Sequence, residues 1–296
     1  MTSADGFWHE VVFQIPAEQL PFAETTLQSL GAVSISLNDA GDQPLLEPAP
    51  GELPTWDQVT VKALFEQHHD SAKLRQQLRH SCPDIGEFTL NKVENRLWER
   101  AWLDEFKPMA FGKRLWIYPS HIPPPENDTV NVILDPGLAF GTGTHPTTAL
   151  CLHWLDGQSL RNNRVIDYGC GSGVLAVAAL KLDAQLAVGT DRDLQALTAS
   201  RWNAEQNRVD DRLQLYTPES LPQGLQADIV LANILSDTLI ELKPVLTALV
   251  KPHSQLILSG ILHYQADSVI SVYQDSFEFA EPVLKEDWAL LAGVKK

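Results

Sequence analysis

The chain of 296 residues has few cysteines and no apolar run of membrane-spanning length. Its three cysteines, Cys82, Cys151 and Cys170, form no C-x-x-C pair, which argues against a disulfide framework and a cysteine zinc site. No stretch approaches the roughly 20 apolar residues of a transmembrane helix. The first ten residues lack a basic region followed by an apolar run, so we expect no secretory signal. These absences favour a cytoplasmic protein without a membrane anchor or a bound metal.

Basic residues are also scarce. The 22 Lys and Arg residues stand against 38 Asp and Glu residues, which gives a formal net charge of -16. Such a charge argues against direct binding to nucleic acid phosphates. An acidic surface can attract a basic polypeptide, although acidity also keeps a cytosolic protein soluble, which is the simpler interpretation. A monomer is our default expectation.

Residues 1–94 predict a small α+β domain. Its predicted elements follow the order β-α-β-β-α-β, with strands at 10–15, 32–37, 58–65 and 88–93 and helices at 17–30 and 71–80. This is the order of a ferredoxin-like domain, which by analogy more often recognises a partner than catalyses. Residues 95–106, which include Trp98 and Trp102, predict a helix in a connector between domains.

From residue 113 onward, strands and helices alternate. Strands are predicted at 115–118, 130–134, 164–167, 186–190, 213–216, 228–232 and 255–259, and helices at 174–181, 194–207 and 237–250. This alternation predicts an α/β domain with a largely parallel, doubly wound sheet that binds ligands at the carboxyl ends of its strands. Segments 277–279 and 288–294 are too close in sequence for a crossover helix, so we expect an antiparallel edge.

The run VIDYGCGSG is the most informative segment. It predicts a strand that breaks into a tight glycine turn before a buried helix, a place where nucleotide-like ligands bind. Two registers compete for it. Gly171-x-Gly173-x-x-Ala176 satisfies the dinucleotide fingerprint of NAD-binding proteins. Asp167-x-Gly169-x-Gly171-x-Gly173 is the pattern of class I S-adenosylmethionine-dependent methyltransferases.

The acidic residues near this turn favour the methyl donor. A carboxylate at Asp167 repels a pyrophosphate but attracts the ammonium group of S-adenosylmethionine, although the same carboxylate can also cap its own turn. Asp191 ends the next strand and can accept both ribose hydroxyls in either register. The nearby Asp193 can share that role or cap the following helix.

Two further segments carry polar groups toward the same edge. Asn233 follows the strand at 228–232, where amino-group methyltransferases place an Asn or Asp whose oxygen orients the target amine; taken alone, it is an ordinary turn former. The glycine- and threonine-rich loop at 135–148 becomes a helix near Pro146 and lacks the Lys of a phosphate-binding loop. We interpret His145 as a hydrogen-bonding loop residue and not as a metal ligand or base.

Several of these segments resemble the PrmA family, whose enzymes methylate large-subunit ribosomal protein eleven. The matching segments are residues 134–148, 165–180, 232–235 and 258–262, with 31–35 and 98–102 before them. The resemblance spans nearly the whole chain. It implies a ferredoxin-like domain at 1–94 that grips the ribosomal protein, a helical linker at 95–112 and a class I methyltransferase (Rossmann-like) domain at 113–296.

The resemblance also implies the reaction and the site. Methyl groups would pass from S-adenosyl-L-methionine to α-amino and lysine ε-amino groups of the ribosomal protein. The residues carried over by motif are Thr148, Gly169, Asp191 and Asn233 as donor contacts, with Gly171 shaping the turn. Asn233 and the 140–144 loop would face the amine, and no side chain in these motifs stands out as a general base.

Some positions depart from the family pattern, and three rivals remain. Leu97, Leu194 and the Ser236-Asp237 pair lie beside the ligand motifs, not on them. The rivals are an NAD-dependent oxidoreductase, a methyltransferase of a small amine and a noncatalytic binding module. A small-amine enzyme would leave the first domain without a clear task.

Overall fold

The computed structural model describes residues 7–41, 55–66, 70–94, 107–126, 128–134 and 145–296. The chain divides into two compact units, Met1–Trp102 and Leu103–Lys296. The helix predicted at 95–106, with Trp98 and Trp102, and the 140–144 loop lie outside the described residues. Within the described part, every helix is too short or too polar to cross a bilayer.

The first unit is a four-stranded sheet with two helices on one face. Its elements are β1 (Phe7–Pro16), α1 (Leu20–Ser29), β2 (Ser34–Asp39), β3 (Gln58–Phe65), α2 (Ser71–Ser81) and β4 (Phe88–Glu94). The strands lie in the order β2-β3-β1-β4, and each neighbouring pair is antiparallel. Alternate residues of β1, such as Val11 and Phe13, are buried against Leu27 of α1 and Leu74 of α2. These side chains form the core cluster of the first unit.

The second unit is built on an eight-stranded sheet. The elements of the unit are β5 (Met109–Phe111), β6 (Leu115–Pro119), β7 (Val130–Leu134), α3 (Pro146–Asp156), β8 (Arg164–Tyr168), α4 (Val174–Lys181), β9 (Leu186–Thr190), α5 (Leu194–Gln206), β10 (Leu213–Tyr216), β11 (Ala227–Asn233), α6 (Ser236–Glu241), α7 (Lys243–Leu249), β12 (Val250–Leu262), α8 (Ala266–Tyr273), β13 (Phe277–Phe279), β14 (Val283–Lys285) and β15 (Trp288–Lys295). The sheet order is β10-β9-β8-β11-β12-β15-β13, with β14 paired to β15. The first five strands are parallel, and β15 runs antiparallel to β12 and β13. The predicted parallel sheet with an antiparallel edge is confirmed.

Helices cover both faces of this sheet. Successive strand residues point to opposite faces, so Val165 joins a core cluster with α3, α4 and α5, whereas Ile166 joins a cluster with α6, α7 and α8. Strands buried on both sides carry apolar residues at successive positions, as β11 does at 229–232. The chain therefore places the carboxyl ends of β8, β9 and β11 along one edge.

The strands predicted at 115–118 and 130–134 do not join the main sheet. They are β6 and β7, which form a separate three-stranded sheet with β5. Asn207, at the end of α5, takes the place of a neighbouring strand because its side chain accepts from the Ile133 N–H (2.7 Å) and donates to the Ile133 carbonyl (2.6 Å). At the other end of the small sheet, the Asp156 carboxylate accepts from the N–H groups of residues 113–115 at 2.7–3.0 Å.

The helix predicted at 237–250 is also corrected. It is two short helices, α6 and α7, because Pro244 in the first turn of α7 cannot continue the hydrogen bonds of α6. The last predicted residue, Val250, begins β12, which is longer than the predicted strand at 255–259. Three further elements, β5, β14 and α8, are not predicted from the sequence.

Candidate functional site

A cavity of about 290 Å³ opens where β8, β9 and β11 end. From β8 the chain continues to β9, its neighbour on one side in the sheet, whereas the neighbour on its other side is the later strand β11. The cavity therefore lies at the topological switch point, where α/β sheets bind ligands. All five predicted site residues line this cavity: Thr148, Gly169, Gly171, Asp191 and Asn233. They come from helix α3, the glycine turn and the ends of β9 and β11, so the fold brings together what the sequence separates.

The glycine turn forms one wall of the cavity. Gly169, Gly171 and Gly173 all have positive φ, at 77°, 53° and 75°, which explains why glycine recurs at every second position. The N–H groups of Gly169 and Cys170 donate to the Thr190 carbonyl at 2.8 and 3.0 Å. The Gly171 N–H donates to Oδ2 of Asp191 at 2.9 Å. The end of β9 therefore holds the turn.

Helix α5 supports the same turn from behind. The Ser200 hydroxyl donates to the Gly171 carbonyl (2.9 Å), and the Asn203 amide donates to the Ser172 carbonyl (2.8 Å). A Cβ atom on Gly173 would lie 2.7 Å from Oγ of Ser200, so α5 contacts the third glycine directly. Both supporting side chains are buried, which holds the turn in one conformation.

The side chain of Asp167 forms a hydrogen bond with the main chain of helix α4. Its carboxylate is 1% exposed and accepts from the Ala176 N–H at 3.2 Å, which caps the first turn of α4. The pKa of Asp167 is raised to about 7, chiefly by burial and also by the Asp191 charge, while the Ala176 hydrogen bond lowers it. Of the two roles that the sequence left open for this carboxylate, the geometry favours the cap, although Asp167 also lines the cavity.

Asp191 and Asp193 have different roles. Asp191 is partly exposed at the end of β9, and its Oδ1 accepts from the Asp193 N–H (3.0 Å). Asp193 caps α5 by accepting from the Gln195 N–H (2.8 Å), which is the alternative considered for it. Asp191 therefore remains as the carboxylate at the cavity wall.

Asn233 ends β11 and meets helix α3. Its side-chain Nδ2 donates to Oγ1 of Thr148, which is buried, at 3.2 Å. This contact orients the amide so that Oδ1 is left to accept a hydrogen bond from a ligand. Thr148 is held in place because Pro146 and the capping residue His145 start its helix.

His145 is a helix cap. Its Nδ1 accepts from the Thr147 N–H at 3.4 Å and lies 2.8 Å from the Thr147 hydroxyl. Burial lowers the pKa of His145, which favours the neutral ring that capping requires. The ring also contacts the Trp288 ring edge-on, with centroids 4.8 Å apart. The described residues include no group of three His, Cys, Asp or Glu able to hold a metal.

The lining favours a ligand with hydroxyl donors and positive charge. The amides of Gly169, Cys170 and Gly171 already donate to protein acceptors, so they are not available to a pyrophosphate. The Asp191 carboxylate presents acceptors instead. Thr190, another lining residue, has a buried hydroxyl without a hydrogen-bond partner among the described residues. The sequence analysis missed Thr190, Ser200 and Asn203, because single hydroxyl and amide residues within apolar elements form no motif.

Comparisons with known proteins agree on one family. A family model described as ribosomal protein L11 methyltransferase (PrmA) matches residues 7–296. The chain is 52% identical over 273 residues to the ribosomal protein L11 methyltransferase of Shewanella piezotolerans, covering 91% of this chain and 93% of that protein. It is 48% identical over 292 residues to the protein of the same name from Haemophilus influenzae, covering 98% and 99%. Among solved structures, the ribosomal protein L11 methylase from Lactobacillus delbrueckii subsp. bulgaricus matches with a TM-score of 0.59 and 31% identity, covering 64% of this chain and 100% of that chain.

Proposed function

The chain belongs to the ribosomal protein L11 methyltransferase (PrmA) family, and we propose that it methylates α-amino and lysine ε-amino groups of ribosomal protein L11. S-adenosyl-L-methionine is the methyl donor. One observation carries the proposal: the Asp191 carboxylate, the glycine turn and an oriented Asn233 amide line a single cavity at the switch point of the sheet.

The residues of the cavity fit the donor. We assign the ribose hydroxyls to the Asp191 carboxylate, and Thr148, Gly169 and Gly171 line the cavity beside it. The buried Thr190 hydroxyl offers a further polar contact. When bound, S-adenosylmethionine supplies an electrophilic methyl group on a sulfonium. The amides of Gly169, Cys170 and Gly171 already donate to protein acceptors, so they cannot serve the pyrophosphate of NAD.

In this mechanism the protein mainly positions the amine. Oδ1 of Asn233 accepts a hydrogen bond from the target amine and directs its lone pair, while Thr148 fixes the amide. The amine must be neutral, although a lysine has an unperturbed pKa of about 10.4; removal from water lowers that value. Proton loss to water precedes attack. Positioning of this kind can lower a barrier by roughly 7–11 kcal/mol in well-aligned systems.

The rest of the chain serves substrate recognition. We assign residues 1–94 to a ferredoxin-like domain that grips L11, residues 95–112 to a helical linker, and residues 113–296 to the methyltransferase domain. The net charge of -16 supports a protein substrate over nucleic acid. We further propose a cytoplasmic monomer.

The decisive experiment is methylation of purified L11. The enzyme is incubated with L11 and isotopically labelled S-adenosylmethionine, and the modified amines are located by mass spectrometry. We expect label on the N-terminal amine and on lysines. An unlabelled L11, with label instead on a free small amine supplied in parallel, would contradict the proposal and favour the small-amine enzyme.

A binding measurement separates the donor from NAD. S-adenosylhomocysteine and NAD are added in turn, and the thermal unfolding midpoint is followed. Only the true ligand should raise the midpoint, since a ligand stabilises the state that binds it. A rise with NAD alone would favour the oxidoreductase.

A further inference from the structure

Ile234 lies directly after Asn233, in the turn between β11 and α6. Its N–H donates to the Ser259 carbonyl of β12 at 3.1 Å. Its half-buried side chain packs against the core cluster on the α6–α8 face and lines the cavity. The residue is therefore attached to both the core and the site.

The Ile234 side chain occupies the space that a side chain at Gly169 would need. A Cβ atom built on Gly169 would lie 2.6 Å from Cγ2 of Ile234, a separation that real Cβ atoms essentially never show. Among the described residues, no other heavy atom apart from the chain neighbours lies within 4 Å of that Cβ. The first glycine of the turn thus makes room for Ile234.

A second glycine accommodates the main chain of the same residue. Gly260, in β12, has a φ of 81°, and a Cβ there would lie 2.5 Å from the Ile234 carbonyl oxygen and 2.9 Å from its nitrogen. The main chain of Ile234 therefore packs against Gly260, while its side chain packs against Gly169. Two glycines from two distant parts of the sequence hold this one residue.

We infer that Ile234 is a positioning residue, which sets the distance between the glycine turn and the amine-orienting Asn233 by filling the space between Gly169 and Gly260. The inference rests on the proposed function, because it assigns the donor to the glycine turn and the amine to Asn233. Close-packed contacts resist small displacements. A shift of the Ile234 peptide would move the adjoining Asn233, and a misplacement of about 1 Å can cost about 100-fold in rate.

A double-mutant cycle tests the contact. The four proteins are wild type, Gly169→Ala, Ile234→Leu and the double variant. Leucine has nearly the volume of isoleucine but no methyl branch at Cβ, so Ile234→Leu deletes the Cγ2 atom that the methyl group introduced by Gly169→Ala would meet. Because Gly169 has a φ of 77°, part of the loss in Gly169→Ala comes from backbone strain that Ile234→Leu does not relieve. We expect Gly169→Ala to lower kcat on L11 by about 100-fold and the double variant to recover about 10-fold of that loss.

Two readouts are taken on each protein. The first is kcat on L11 beside the dissociation constant of S-adenosylhomocysteine, and the second is the unfolding midpoint without any ligand. Ile270→Leu is the matched control, because Ile270 lies on α8 and packs against the same core cluster. It should leave kcat within about twofold, because a volume-conserving core change is well tolerated and Ile270 is not among the described residues that line the cavity.

The outcomes separate this inference from the proposed function. If the double variant loses the sum of the two single losses in both readouts, Ile234 does not occupy the space of the Gly169 side chain and the inference is overturned. If wild type fails to methylate L11, the proposed function fails, while the unfolding midpoints still decide the contact.

A second variant covers the case in which Gly169→Ala does not fold. Ile234→Ala keeps both glycines and should lower kcat by at least about 10-fold with the S-adenosylhomocysteine dissociation constant changed by less than about threefold. Equal losses in both quantities, or no loss, would contradict a positioning role.

Discussion

At the scale of single residues, the site is built from polar side chains that serve the main chain and the ligand together. Asp191 accepts from two N–H groups of neighbouring turns while its partly exposed carboxylate lines the cavity. Asn233 donates to Thr148 through its side-chain nitrogen, and its oxygen is the group to which we assign the amine. Asp167, in contrast, is used to cap α4. Each contact that orders the protein also limits how a ligand can be held.

Asn233→Ala should lower methyl transfer far more than donor binding. The change removes the oxygen that directs the amine lone pair but leaves Asp191 and the glycine turn intact. We expect kcat to fall by about 100-fold, with a much smaller change in the S-adenosylhomocysteine dissociation constant. Thr148→Val, which removes only the hydroxyl holding the amide, should give a smaller fall in kcat. Equal losses of turnover and affinity in a titration would rule out the orienting role.

Asp167→Asn should alter the pH dependence of stability. Burial raises the pKa of Asp167 from 3.8 to about 7, so the folded state binds the proton more tightly than the unfolded state. The contribution of Asp167 to stability is therefore complete below pH 3.8 and is lost as the pH rises to about 7. Urea unfolding across this range should show the free energy of unfolding of wild type falling relative to the variant, with a constant difference above it. A difference that stays constant throughout would contradict the raised pKa.

At the scale of elements, α5 and the residue that caps its C-terminus carry a row of buried polar side chains. Ser200, Asn203 and Asn207 recur at helical spacing on one face, yet all three are polar. They are buried because each meets main-chain groups that lack a strand partner, in the glycine turn or in β7. These side chains therefore make hydrogen bonds to main-chain groups that a neighbouring strand would otherwise make.

Asn207→Ala should loosen the three-stranded sheet. The change leaves both the N–H and the carbonyl of Ile133 without a partner, and we expect a loss of about 2 kcal/mol in the free energy of unfolding. The control is Gln206→Ala, an exposed neighbour, which should change stability by less than about 0.5 kcal/mol. Denaturant titration compares the two. Identical unfolding curves for the two variants would mean that Asn207 does not stabilise the three-stranded sheet.

The sequence predicted elements best where local pattern and tertiary environment agree. The short apolar run of β11 predicts a buried strand, and the three closely spaced glycines after β8 predict a turn, and in both places the tertiary environment agrees. Prediction failed where a side chain that is distant in the sequence determines how a strand is paired. Nothing near 130–134 signals that Asn207 will pair with that strand, and a window of helical periodicity does not register the break at Pro244. The contact of Ile234 with two glycines was equally hidden, because it joins three segments that lie far apart in the sequence.

At the scale of the whole molecule, each of the two units has its own hydrophobic core. The cavity and all five predicted site residues belong to Leu103–Lys296. The proposed assignment of protein recognition to the first unit therefore predicts that donor binding and protein recognition can be separated by deletion.

Deleting residues 1–102 should separate these properties. The remaining chain keeps the cavity, so calorimetry should give an S-adenosylhomocysteine affinity close to that of the full chain. Methylation of L11 should fall by at least about 100-fold, because the protein substrate is no longer positioned. Retention of full activity on L11 would contradict a recognition role for the first unit and favour a small-amine substrate.

The placement of β11 beside β8 also has a kinetic consequence. The two strands are joined across a long stretch of chain: the Arg164 N–H donates to the Asp228 carboxylate, 64 positions later. Pairing between such distant parallel strands is slow, since a large loop must close first. The cavity residues on these strands therefore come together only after β8 and β11 have paired, and refolding should restore turnover in the same kinetic phase as this pairing.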